Sequence, residues 1–205
     1  MRINPIKSNI NFRKIYEGKT PDPKETVTIL GSSKSTNRTL MNDYNCAQVT
    51  KALVLAGKNV LTGCGTNGIM GAAFKNAKEN SKNEDGKQIQ NLVIIKRPLW
   101  GDEDLENCVI IGEAKSEHER IADFQKCSDT FIIYPGGAGT LQEAASLIFE
   151  NQYTDKPKKI ILVGREYFKG LDKQYQTMYN ARLCTNPEAL YKIVDTVDEV
   201  LSRTL

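Results

Sequence analysis

The sequence predicts an α/β protein: a three-layer sandwich whose central, mostly parallel sheet carries helices on both faces. Three observations lead there. Short apolar runs alternate with longer helical patterns along most of the chain. The runs are almost wholly hydrophobic, as strands covered on both faces require, rather than alternating between apolar and polar. Glycine turns at 31–33, 63–68 and 136–139 each follow such a run. All three therefore fall on one edge of the sheet, beyond the carboxyl ends of its strands, where parallel sheets bind ligands.

The elements follow in order. Thr26-Val27-Thr28-Ile29-Leu30 is a β-rich run ending at Gly31-Ser32-Ser33. Residues 37 to 57 have a helical spacing, with Leu40, Tyr44, Ala47, Leu53 and Ala56 near one face. Asn59–Thr62 is a short buried strand, followed by the turn Gly63-Cys64-Gly65-Thr66-Asn67-Gly68 and a helix from Ile69 to about Asn80. The polar segment 81–87 contains Asp85-Gly86 and is a loop. Leu92–Ile95 and Cys108–Ile111 are strands, separated by the break at Pro98-Leu99-Trp100-Gly101. A helix spans Ser116–Cys127, a strand Thr130–Tyr134, and a last central strand Lys159–Gly164. The tail holds helices around Leu171–Arg182 and Thr196–Leu205.

With 205 residues and 40% hydrophobic content, the chain suffices for one sizeable domain, expected over 25–205. No apolar run approaches the ~20 residues that span a bilayer, so no membrane partner is expected. Five scattered cysteines with no CxxC, and one histidine, predict reduced thiols in a cytoplasmic setting and no metal site. Residues 1–24 carry six of the 28 Lys/Arg and two of the 25 Asp/Glu, which leaves 22 basic against 23 acidic side chains on the body. The excess positive charge thus lies on a leader expected to be flexible. A nucleic-acid partner, which needs a basic stripe on a folded surface, is not expected.

The most telling stretch is Tyr134-Pro135-Gly136-Gly137-Ala138-Gly139-Thr140-Leu141-Gln142-Glu143. It lies between the apolar run Phe131-Ile132-Ile133 and a helical pattern, so it is a strand–turn–helix passage. Glycines let a backbone approach a ligand closely, and the free amides at a helix N-terminus suit a phosphate. Glu143 lies one turn into that helix. Thr140-x-x-Glu143 equally fits a capping box, in which threonine and glutamate satisfy each other's backbone amides. Gly63-x-Gly65-x-x-Gly68 matches the dinucleotide fingerprint, but the next strand ends at Lys96-Arg97 where an acidic ribose partner belongs. A plain NAD enzyme is not expected.

Taken in order, Gly31-Ser32-Ser33, then Gly63-Cys64-Gly65-Thr66-Asn67-Gly68-Ile69-Met70-Gly71, then His118-Glu119-Arg120, then Pro135-Gly136-Gly137-Ala138-Gly139-Thr140-x-x-Glu143 resemble the LOG family. These are the cytokinin riboside 5′-monophosphate phosphoribohydrolases often labelled lysine decarboxylases. The resemblance spans about residues 26–170, and the last 35 residues carry no part of it. It implies a Rossmann-like fold, usually dimeric, and hydrolysis of the N-glycosidic bond of a nucleoside 5′-monophosphate without cofactor or metal. It implies Arg120 and Glu143 as the catalytic pair. Gly136, Gly137, Gly139 and Thr140 would hold the phosphate. Gly31, Ser32, Ser33, Gly65, Gly68 and Met70 would help form the nucleotide pocket.

Two positions depart from the family pattern. Ile121 stands where the family has a lysine, and Ala138 where a tyrosine is common. The first removes a cation from the site and bears on which nucleotide is accepted. Glu103 is a candidate for a family carboxylate near the substrate. Nothing marks a lysine that would anchor pyridoxal phosphate. The competing expectation is a non-catalytic nucleotide or molybdenum-cofactor carrier, a class that resembles this fold and uses similar glycine turns.

Overall fold

A computed structural model of the chain describes residues 21–37, 40–63, 65–81, 91–96 and 108–205. The positions of Cys64, Trp100 and Glu103 lie outside the described residues, as do residues 1–20 of the leader. The leader's last residues are held to the fold: the Pro23 carbonyl accepts the Asp129 amide at 2.9 Å.

Among the described residues, seven strands form one sheet: β1 (Thr26–Leu30), β2 (Asn59–Thr62), β3 (Asn91–Lys96), β4 (Val109–Ala114), β5 (Thr130–Ile133), β6 (Lys159–Val163) and β7 (Lys192–Val194). Their spatial order is β4-β3-β2-β1-β5-β6-β7, and all six ladders are parallel. The fold is thus the expected Rossmann-like α/β sandwich.

Alternation within each apolar run sends side chains to opposite faces. Val27 and Ile29 of β1, and Ile132 and Tyr134 at β5, meet α1 (Leu40–Leu55), α2 (Gly68–Asn80) and α7 (Val197–Thr204). Leu30, Phe131 and Ile133 meet α3 (Glu117–Cys127), α4 (Ala138–Asn151), α5 (Arg165–Asn180) and α6 (Pro187–Leu190). Both faces are dry, which is why the strand sequences lack a polar phase.

Strands β2, β3 and β4 run outward from β1 on one side. The chain then returns to place β5 on the other side of β1. That reversal opens a crevice between the carboxyl ends of β1 and β5, the topological switch point at which open α/β sheets take their ligands.

β7 was not expected. It is three residues long at the sheet edge, with Lys192 exposed, so its sequence carries no continuous apolar run. Helix α5 starts at Arg165, six residues before the expected Leu171. A left-handed Gly164 (φ 107°) turns the chain directly from β6 into it.

Candidate functional site

The three glycine turns meet at the crevice, and Ser32 joins them. Its amide donates to the Pro135 carbonyl at 3.2 Å, and its own carbonyl accepts the Met70 amide at 3.4 Å. One residue after β1 thereby fixes both the turn after β5 and the start of α2. The Ser32 hydroxyl is spent locally, donating to the Lys34 carbonyl (2.9 Å) and accepting the Lys34 amide (3.0 Å). Ser33 is exposed.

Close approach explains several of the glycines. A Cβ on Gly31 would lie 2.7 Å from Ile69 Cγ2, and one on Gly65 3.0 Å from Met70 Cε. Gly68 has φ 61°, and a side chain there would strike the Ser32 carbonyl. In the third turn, a Cβ on Gly136 would collide with Thr140 Oγ1. Gly137 and Gly139 differ: a Cβ on either meets nothing within 4 Å. Internal packing therefore requires neither, and both border open space.

Helix α4 begins at Ala138 with Gly137 as its N-cap, ahead of the expected Thr140. Its first helical bond runs from the Leu141 amide to the Gly137 carbonyl, at 3.1 Å. The amides of Ala138, Gly139 and Thr140 donate to nothing among the described residues. They form the positive end of a 14-residue helix. The capping box open to Thr140 and Glu143 is not formed, and no side chain caps this helix. The physical reason is the earlier start, which puts Thr140 inside the helix. A capping box occurs instead at Thr196 and Glu199, opening α7.

Freed from a capping role, the half-buried Glu143 carboxyl makes no hydrogen bond among the described residues. Burial pushes it up from the usual 4.5 to about 7; the Arg120 guanidinium opposes that rise and the Glu117 carboxylate adds to it. Arg120 and Glu143 thus interact electrostatically, but they form no ion pair.

Arg120 is committed elsewhere. Its Nε donates to the Ile94 carbonyl (3.2 Å) and Nη2 to the Gly63 carbonyl (2.8 Å), while Nη1 lies 3.8 Å from Glu117 Oε2. The β3–β4 register shifts between Val93 and Ile94. Beside that irregularity the guanidinium donates to a β3 carbonyl. Two of its donor positions are thus taken by backbone carbonyls, one inside β3 and one just after β2. What remains is a fixed cation beside an ionisable carboxyl.

Ile121 is 7% exposed and packs inward, so no cation stands at that position. His118 is exposed. Met70 is half-buried against the β2 turn, with its Sδ 3.3 Å from where a Gly63 Cβ would sit. Sequence reasoning missed Tyr167 of α5, whose hydroxyl donates to the Gly136 carbonyl. No motif signals it, because only the folding of α5 against Pro135 brings it to the turn. Among the described residues no cluster of His, Cys, Asp or Glu is fit to hold a metal ion, and no helix is long and apolar enough to cross a membrane.

A family model described as "Possible lysine decarboxylase" matches residues 52–204. The chain belongs to this LOG-type family. The match corrects the expected limit of the resemblance, since it runs through α5, α6, β7 and α7 to residue 204. Among curated proteins, the chain is 31% identical over 132 residues to the "Probable cytokinin riboside 5′-monophosphate phosphoribohydrolase LOGL3" of Oryza sativa subsp. japonica, covering 61% of this chain and 56% of that one. It is 26% identical over 156 residues to the "Cytokinin riboside 5′-monophosphate phosphoribohydrolase LOG4" of Arabidopsis thaliana, covering 74% and 68%. The chain thus spans little more than half the length of the first of these relatives. Among solved structures, the molybdenum cofactor binding protein of Rippkaea orientalis superposes with a TM-score of 0.58 over 90% of this chain and 94% of that one. At 18% identity, that likeness establishes the shared fold.

Proposed function

We propose that the chain is a nucleoside 5′-monophosphate phosphoribohydrolase acting on AMP-like or cytokinin-type nucleotides. One observation carries the reading. A carboxyl group whose proton affinity lies near neutrality stands in the second turn of the helix whose first three amides are free. The phosphate sits on those amides at Ala138–Thr140, and the ribose extends from it toward Glu143. Gly31–Ser33, Gly65, Gly68 and Met70 close the pocket around the rest of the nucleotide.

The chemistry follows from that placement. The C1′–N bond breaks, and its electron pair passes to the base nitrogen. Positive charge builds on the ribose ring as in other glycoside cleavages. Ionised Glu143 stabilises that charge and accepts a proton from the water whose oxygen bonds to C1′. The proton passes on to the departing base, leaving free base and ribose 5-phosphate. Arg120, held by the Ile94 and Gly63 carbonyls, tunes Glu143 and keeps the carboxylate form within reach near neutral pH. Binding the non-reacting phosphate supplies the orientation.

A carrier of a phosphorylated ligand needs the amides but has no use for an ionisable carboxyl tuned to neutrality, which favours the enzyme. We take the working unit to be a homodimer. The family resemblance supports this, as does an apolar surface along α4 and just beyond it, where Leu141, Phe149 and Tyr153 are 49%, 53% and 75% exposed. The cytoplasm is the compartment we assign, since Cys46, Cys108, Cys127 and Cys184 are all free thiols. We assign residues 25–205 to one catalytic domain.

The test is incubation of purified protein with AMP and other nucleoside monophosphates, with ribose 5-phosphate as the readout. Release of ribose 5-phosphate is expected. No product from folded protein with any of them overturns the reading.

A further inference from the structure

We infer that Tyr167 is a positioning residue for the anion seat: its hydroxyl, held on the Gly136 carbonyl, locks the Gly136–Gly137 peptide so that the Gly137 N–H points into the crevice. The inference rests on the reading above only in taking phosphate as the anion.

Three consecutive carbonyls in the turn are each taken by a different element. The Pro135 carbonyl accepts the Ser32 amide from the β1 turn. The Gly136 carbonyl accepts the Tyr167 hydroxyl from α5. The Gly137 carbonyl accepts the Leu141 amide within α4. The first and third are backbone bonds belonging to the fold. The middle one alone comes from a side chain.

The middle peptide is also the one that most needs holding. It joins two glycines, so rotation about it meets little steric resistance. In a trans peptide the C=O and the following N–H point in opposite directions. Fixing the Gly136 oxygen toward α5 therefore turns the Gly137 N–H away from α5, and that amide donates to nothing among the described residues. A flipped peptide would present a carbonyl oxygen to the anion instead, which repels it.

The start of α5 explains why Tyr167 reaches this far. A Cβ on left-handed Gly164 would lie 3.5 Å from Pro135 Cγ and 3.7 Å from Tyr167 Cβ, so the first turn of α5 abuts the glycine turn. The Tyr167 ring rests edge-on against Phe168, with centroids 4.8 Å apart. It is 49% exposed, so losing its hydroxyl leaves the core intact.

The experiment compares wild type with Tyr167→Phe, which keeps the ring. Both are titrated calorimetrically with inorganic phosphate, AMP and adenosine. Phosphate and AMP are expected to bind the variant roughly threefold to tenfold more weakly, the span of one lost hydrogen bond. Adenosine binding stays unchanged, and KM for AMP rises by more than kcat falls. In the wild type, the Gly137 amide resonance shifts on addition of phosphate. Equal affinities in the two proteins, or a Gly137 amide that stays put while those of Gly139 and Thr140 move, overturn the inference and leave the site standing. A wild type that binds neither phosphate nor AMP overturns both. Phosphate affinity that drops in Tyr167→Phe, without ribose 5-phosphate release by the wild type, supports the lock and sinks only the hydrolase reading.

Discussion

Arg120 Nη2 donates to the Gly63 carbonyl at 2.8 Å, and the same nitrogen fills the space that a side chain on Gly63 would occupy. The glycine after β2 and the arginine of α3 are therefore one unit. The absence of a Cβ lets the guanidinium dock on the strand end, and the docking fixes a positive charge near Glu143. With a side chain that is 15% exposed, Arg120 is a half-buried cation held by carbonyl dipoles and the Glu117 carboxylate.

Gly63→Ala must displace that guanidinium. The expected outcome is a loss of ribose 5-phosphate release together with destabilisation by roughly 1–3 kcal/mol, the cost of leaving buried polar groups unpaired. Arg120→Lys fails for a related reason, because an ammonium cannot serve the Ile94 and Gly63 carbonyls in the same fork geometry. Urea denaturation monitored by circular dichroism measures the first effect, and the nucleotide assay the second.

Glu143→Gln separates chemistry from binding. The amide cannot accept the water proton or offset the developing ribosyl charge, so turnover falls by at least about 100-fold. AMP affinity, which the proposed function assigns to the α4 amides, is expected to persist. Calorimetry with AMP alongside the ribose 5-phosphate assay reads both.

The pH dependence follows from the raised Glu143 carboxyl. With the carboxylate as the working form, kcat/KM rises with pH through about 7. Glu117→Gln removes a neighbouring negative charge, makes ionisation easier and moves that rising limb to lower pH. Stability moves the other way. Between 4.5 and about 7 the folded protein keeps a proton that the unfolded chain has released. The contribution of Glu143 to stability is therefore full below 4.5 and is lost as pH rises to about 7, by up to about 3 kcal/mol. Glu143→Gln abolishes that fall, so its stability relative to wild type is higher at pH 8 than at pH 4. Denaturant titrations of both proteins at the two pH values check the sign.

Two glycines three positions apart should behave in opposite ways. Gly136→Ala drives a Cβ into Thr140 Oγ1 and to within 2.9 Å of the Ser32 amide nitrogen, and it lowers Tm. Gly139→Ala meets nothing, lies inside α4 and raises helix propensity, so the fold holds or gains up to about 1 kcal/mol. Its methyl group intrudes on the ligand side, and phosphate affinity drops. Thermal melts and phosphate titrations on the two variants distinguish the structural glycine from the one proposed to border the phosphate.

Much of this was legible in the residues. Thr26–Leu30 and Asn59–Thr62 are strands within the limits their apolar runs imply. The convergence of the three glycine turns followed from one rule about parallel sheets. β7 was not legible, because Lys192–Val194 becomes a strand only through pairing with β6. The capping signature at Thr140 and Glu143 pointed equally to a sealed helix end and to a free carboxyl. Local sequence cannot choose between them, since both use the same residues at the same spacing.

By itself, then, the chain order of apolar runs and glycines determined a parallel sheet with its ligand edge, and the motif after β5 determined the family. Contacts between residues far apart in the chain decided the rest. They spend Arg120 on two strand carbonyls and bring Tyr167 onto Gly136. A side chain's hydrogen-bond partner and proton affinity depend on what surrounds it in space, and sequence spacing records only neighbours along the chain.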